Sequence, residues 1–220
     1  MDEVAGSVVV GFDGSSEAEA AVDWAAAEAS RLGKPLVVAY GADYSGMLIG
    51  VGGMGSWFPE PAQQAAEQIA EEGAQRARKV AGDVEVSALA RIHSPAAVLR
   101  AASETAALVV VGTRGHGTVA GALLGSVAFA VSASAVCPVV VVRGDSSKPV
   151  GPGRPVVVGV DGSSQGEAAL DLAADRAADT GAELHLVTAW RTAVGESWAV
   201  AYYDANYPGR DPSDVVREAA

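Results

Sequence analysis

Ala107-Leu-Val-Val-Val-Gly112-Thr-Arg-Gly115, then nine residues, then Gly125-Ser126-Val127, is the stretch from which the fold can be read. A continuous apolar run without polar alternation suits a strand covered on both faces of a sheet. It opens into a glycine-rich turn, a small-residue helical segment and a second apolar run from Pro138 to Val142. A strand, a glycine turn and a helix in that order make a phosphate cradle. Bare backbone N–H groups converge there, and the helix N-terminus adds positive potential. Glycines admit positive φ and let the main chain come close to a ligand. The stretch therefore predicts binding of a nucleotide or similar anion.

Upstream, the chain parses as alternating strand and helix. Residues 7–12 form an apolar strand, and Ser16 with Glu19 reads as a capping box for a helix that Gly33 stops. Residues 36–40 form the second strand, and 41–61 a long glycine-rich loop that reads equally as a lid or an insertion. A helix over about 62–80 and a strand over 84–91 follow. Ser94 then caps a short helix with Pro95 at its first position. A fourth strand at 107–111, a fourth helix over 120–136 and a fifth strand at 138–142 complete the unit. Five strands alternating with four helices predict an α/β fold, a doubly wound five-stranded parallel sheet with helices on both faces.

Val8-Val-Val-Gly-Phe-Asp13-Gly-Ser-Ser16 returns as Val156-Val-Val-Gly-Val-Asp161-Gly-Ser-Ser164, and the match runs without gaps to Gly33 and Gly181. Sixteen of the 26 aligned positions are identical, so the chain holds two copies of one unit. The expected organisation is a complete domain over 1–143, a linker over 144–155 and an incomplete second unit over 156–220. A second Gly112 would fall at position 260, so the second unit is expected to lack the phosphate loop. Docking on another copy, swapping between chains, partial disorder and truncation of a longer product all stay open for it.

Composition narrows the function. The formal net charge is −12, which argues against nucleic-acid and anionic-lipid partners, whose binding needs basic patches. The single cysteine, Cys137, excludes an intrachain disulfide and suits a reducing cytoplasm, and the acidic N-terminus shows no signal peptide. Val119 to Val142 carries no charge, and Gly117, Gly121 and Gly125 have the spacing of packed membrane helices. Pro138 divides that run, so a helix followed by a buried strand explains it better than a membrane span. No Cys/His pair has zinc spacing, and no metal ligand set is expected.

The linked pattern of Gly112, Gly115, Gly125 and Ser126, with Asp13 also in place, resembles the universal stress protein family in its tandem actinobacterial type. The family's ATP-binding members carry G-x2-G-x9-G-[S/T], which this chain matches at every spacing. The resemblance implies strand order 3-2-1-4-5 and a site at the switch point between the first and fourth strands. It implies ATP, alone or with Mg2+, as ligand. Asp13 would contact ribose or the magnesium ion, and Gly11 would let the ligand approach. Val111, Gly112, Thr113, Arg114, Gly115, His116, Gly117 and Thr118 would wrap the phosphates. Ser126 and Val127, after Gly125, would bind them from the helix start. Tyr40 and Gly41 would offer backbone groups to the adenine edge, where relatives often have His-Val. The family pairs its fifth strands, which implies a homodimer through the edge strand from Pro138 to Val142.

Other readings stand beside these. The glycines would also serve a tight turn alone, and Asp13 would serve as a helix cap, as Asp161 repeats it. Arg114 and His116 are the loop's only cations and would also suit plain solvent exposure, while Cys137 suits packing. No G-x4-G-K-[S/T] run and no G-x-S-x-G elbow exists, so no catalytic residues are assigned and binding without efficient turnover is expected. An ATP-independent dimeric scaffold and a slow ATPase are the alternatives.

Overall fold

The computed structural model describes residues 2–43, 60–115, 124–144 and 150–189. The chain divides into two units, Met1–Lys148 and Pro149–Ala220.

In the first unit, β1 (Val8–Gly11), β2 (Leu36–Gly41), β3 (Val86–Arg91), β4 (Leu108–Gly112) and β5 (Val139–Val142) form one parallel sheet in the order β3-β2-β1-β4-β5. This is the order that the family resemblance implies for the doubly wound sheet expected from the sequence. The described helices are α1 (Ser16–Leu32), α2 (Glu60–Arg78), α3 (Pro95–Ala102) and α4 (Ser126–Ser134).

Side-chain alternation along the strands sorts the core into two layers. Val8, Val10, Leu36, Val38 and Val110 pack with the alanine faces of α1 and α2. Val9, Val37, Val109 and Val111 pack with Val98 and Leu99 of α3 and Val131 of α4. The unbroken apolar strands thus follow from burial on both faces. Small helix residues let the layers come close: a Cβ at Gly73 of α2 would lie 2.7 Å from the Phe12 ring.

Several local expectations need correction. Ser15, not Ser16, caps α1, its side chain accepting from the Ala18 amide, and Glu19 reaches Arg76 instead of closing a capping box. The cause is Asp13, whose Oδ1 accepts from the Ser15 amide at 3.1 Å and the Ser15 hydroxyl at 2.6 Å. That pair of bonds selects one of two adjacent serines. Ser94 precedes α3 as expected, but its side chain makes no capping bond. The fourth helix begins at Ser126, since Leu124 and Gly125 are not helical, and it ends at Ser134. Gly33 closes α1 in the left-handed conformation, φ 61°, as expected of a glycine stop.

In the second unit, β6 (Val156–Gly159) and β7 (Leu184–Val187) pair in parallel, and α5 (Ser164–Thr180) lies between them in sequence. Ser163 caps α5, and Asp161 Oδ1 accepts from the Ser163 amide and hydroxyl at 3.0 and 2.6 Å. The two copies share this turn in detail. No helix among the described residues is long and apolar enough to cross a membrane.

Candidate functional site

Strands β1 and β4 lie side by side, and the chain leaves them toward opposite faces of the sheet. A crevice must open beyond their carboxyl ends. There the structure has a cleft of about 270 Å³. Gly11, Asp13, Tyr40, Gly41, Val111, Gly112, Thr113, Arg114, Gly115, Gly125, Ser126 and Val127 all line it. His116, Gly117 and Thr118 lie outside the described residues, as do Tyr44, Trp57 and Phe58 of the glycine-rich loop.

The phosphate-side wall is built on backbone. The Thr113 amide donates to the Val142 carbonyl at 3.2 Å, and the Gly125 amide donates to the Thr113 carbonyl at 2.7 Å. Those bonds bring the loop's two ends together, so β4 hands over directly to the start of α4. Helix α1 has a serine side chain on its first-turn amides, whereas Gly125 gives α4 no side-chain cap. Amides of an uncapped first turn that face a cleft are donors for an anion.

Glycine is required here by space, not by dihedral angle. Of the two properties that glycine brings, positive φ is not used at Gly112, Gly115 or Gly125. A Cβ at Gly112 would lie 2.7 Å from the Glu17 carbonyl oxygen, one at Gly115 would run into the Asp13 carboxylate, and one at Gly11 would lie 2.9 Å from Leu99 Cδ1. At Gly41 a Cβ would lie 2.7 Å from Pro95 Cα and 2.9 Å from the His93 carbonyl. The elements around the cleft touch one another through bare backbone.

Charge at the cleft is sparse. Among the described residues that line it, Asp13 is the only carboxylate and Arg114 the only cation. Arg114 Nε lies 3.5 Å from Glu17 Oε1, and the Ser16 hydroxyl donates to Glu17 Oε2 at 2.9 Å. The Ser16 bond, with Arg114 adding to it, holds the Glu17 carboxyl below the ordinary range. Among the described residues, no group of three His, Cys, Asp or Glu side chains is placed to hold a metal ion. Cys137 packs half-buried against the core, and burial pushes its thiol up, away from reactivity.

Sequence reasoning missed the apolar walls. Pro95, Val98 and Leu99 of α3 line the cleft beside Ala39 and Gly41 of β2. They are far from the glycine pattern in sequence, and only the strand order brings α3 to this end of the sheet. The one signal was Ser94-Pro95, which marks a helix starting where β3 ends.

The Universal stress protein family model matches residues 6–143 and 153–215. A universal stress protein of Mycolicibacterium smegmatis is 34% identical over 194 residues, covering 83% of this chain. The chain spans 63% of that relative's length. A solved universal stress protein from Archaeoglobus fulgidus shares the fold at 17% identity with a TM-score of 0.62, covering 92% of this chain and 72% of that one. Another, solved in complex with cAMP, is 30% identical with a TM-score of 0.45, covering 64% of this chain and 98% of its own. The chain belongs to the universal stress protein family.

Proposed function

We propose that the first unit binds ATP in the cleft between β1 and β4 and acts as a cytoplasmic nucleotide-binding signalling module without efficient turnover. The convergence of the linked glycine pattern, the uncapped first turn of α4 and Asp13 on one cleft supports this reading. In it the phosphates lie against Gly112–Gly115 and the amides of Ser126 and Val127. The ribose lies toward Asp13, and the base between Gly41 and the apolar wall of Pro95, Val98 and Leu99. Asp13 is a single carboxylate already bonded to Ser15, so magnesium would arrive held by the nucleotide's own phosphates and not by a protein cage. Among the described residues lining the cleft Asp13 is the one carboxylate, and its Oδ1 is already engaged by Ser15, which favours binding over hydrolysis.

Calorimetry with ATP, ADP and AMP, together with chromatography of nucleotide released on denaturation, tests the reading. Saturable binding by the purified chain is expected. No released adenylate and no binding at millimolar ligand would sink it.

A homodimer through the outer edge of β5 belongs to the same proposal. β5 ends the sheet, and Phe129 of α4 and Val136, in the segment that leads from α4 into β5, are 67% and 74% exposed. An open strand edge next to bare apolar side chains favours self-pairing.

A further inference from the structure

At the mouth of the cleft Arg114 and Glu17 form a long, partly exposed ion pair. Glu17 stands in the first turn of α1, its main-chain carbonyl beside Gly112 at the end of β4, and the Ser16 hydroxyl donates to its carboxylate at 2.9 Å. Arg114 sits on the loop, lines the cleft, and meets that carboxylate at 3.5 Å, longer than a good charge-assisted hydrogen bond. The arginine therefore has a weak partner on the protein. A terminal phosphate would be a stronger one, since it offers more negative charge and more acceptor oxygens to the guanidinium fork. Among the described residues lining the cleft no other cation competes for that role.

We propose that Arg114 and Glu17 form a charge-selecting pair that makes this site favour nucleotides with a longer phosphate chain. The proposal rests on the nucleotide reading above. A monophosphate leaves Arg114 paired with Glu17 and gains little from it. A triphosphate reaches Arg114, draws it from Glu17 and collects the stronger bond, while the stranded carboxylate, still held by Ser16, opposes the exchange. Arg114 thus raises the preference for ATP over AMP, and Glu17 limits it.

The test is the ratio of ATP to AMP affinity, measured by calorimetry on the full chain at one ionic strength for wild type, Glu17→Gln and Arg114→Gln. A general disturbance of the cleft moves both nucleotides together and leaves the ratio alone. From the usual size of half-exposed charge interactions, the ratio should rise about threefold in Glu17→Gln and fall about fivefold in Arg114→Gln. Arg114→Lys, which keeps the charge, should lie nearer wild type than Arg114→Gln. A wild-type ratio in either glutamine variant overturns the proposal while leaving nucleotide binding intact. Failure of wild type to bind any of the nucleotides overturns the underlying reading as well, so the two failures are distinguishable.

Discussion

The Asp13 carboxylate lies directly over the Cα of Gly115, in the space a side chain would need. Two turns that leave neighbouring strands therefore meet without clearance. Asp13 cannot easily retreat, because its Oδ1 is bonded to both the amide and the hydroxyl of Ser15. Gly115→Val should displace either Asp13 or the loop, lowering ATP affinity at least about tenfold and stability by about 1–3 kcal/mol. Calorimetry and urea unfolding read the two effects separately, and wild-type affinity in the valine variant would show that the contact does not matter for the ligand.

Asp161 provides an internal control for Asp13. Both carboxylates bind the following serine in the same way, but only Asp13 lines the described cleft. Asp13→Ala and Asp161→Ala should each loosen the serine-capped turn that follows. Only the first should reduce nucleotide affinity. Equal affinities in the two variants would reduce Asp13 to a helix cap.

The same turn predicts a pH response in the second unit. Bonds from Ser163 hold the Asp161 carboxyl below the ordinary range. A depressed folded-state value means the stabilisation is present above the unfolded-state value and is lost as pH falls through the folded one. Hydrogen exchange at the Gly166 amide, which the Ser163 hydroxyl caps at 3.0 Å, should quicken relative to mid-helix amides of α5 as pH drops from about 5 to about 2. Asp161→Asn should flatten that dependence, and an unchanged profile would count against the assignment.

Arg76 fastens α2 to α1. It donates to both oxygens of Asp23 at 2.7 Å and to Glu19 at 3.0 Å, and Asp23 is the leading cause of its raised pKa. The groups are partly exposed, so Arg76→Ala should cost about 1 kcal/mol, less in high salt. Urea titrations at two salt concentrations would measure this. Since Arg76 does not line the cleft, nucleotide affinity should change little.

Light scattering tests the dimer. Phe129→Ser combined with Val136→Ser should shift the chain toward monomer, because exposed apolar area beside an open strand edge is what favours association. A wild-type chain that is monomeric at every concentration would remove the proposal.

The strands were readable because β1, β2, β4 and β5 are apolar runs, three of them ending in glycine, whereas their order came from the family resemblance and not from periodicity. The cap register was not: Ser15 and Ser16, like Ser163 and Ser164, have equal capping chemistry, and a hydrogen bond from two residues upstream makes the choice. The start of α4 was hidden by uniformly small, apolar residues from Val119 onward, where composition marks no boundary. Of the proposed site, the glycines and Asp13 were visible as a pattern, while Pro95, Val98 and Leu99 were not, because nothing local links them to residue 41.

The amino-acid sequence alone determined the repeat, the parallel sheet and which residues stand at the ends of its strands, since those follow from local periodicity and turn chemistry. Tertiary structure alone decided why Gly41, Gly112 and Gly115 must be glycine. Each faces an atom from an element distant in sequence or an opposing turn, so the constraint is steric, and it exists only once the chain has closed on itself.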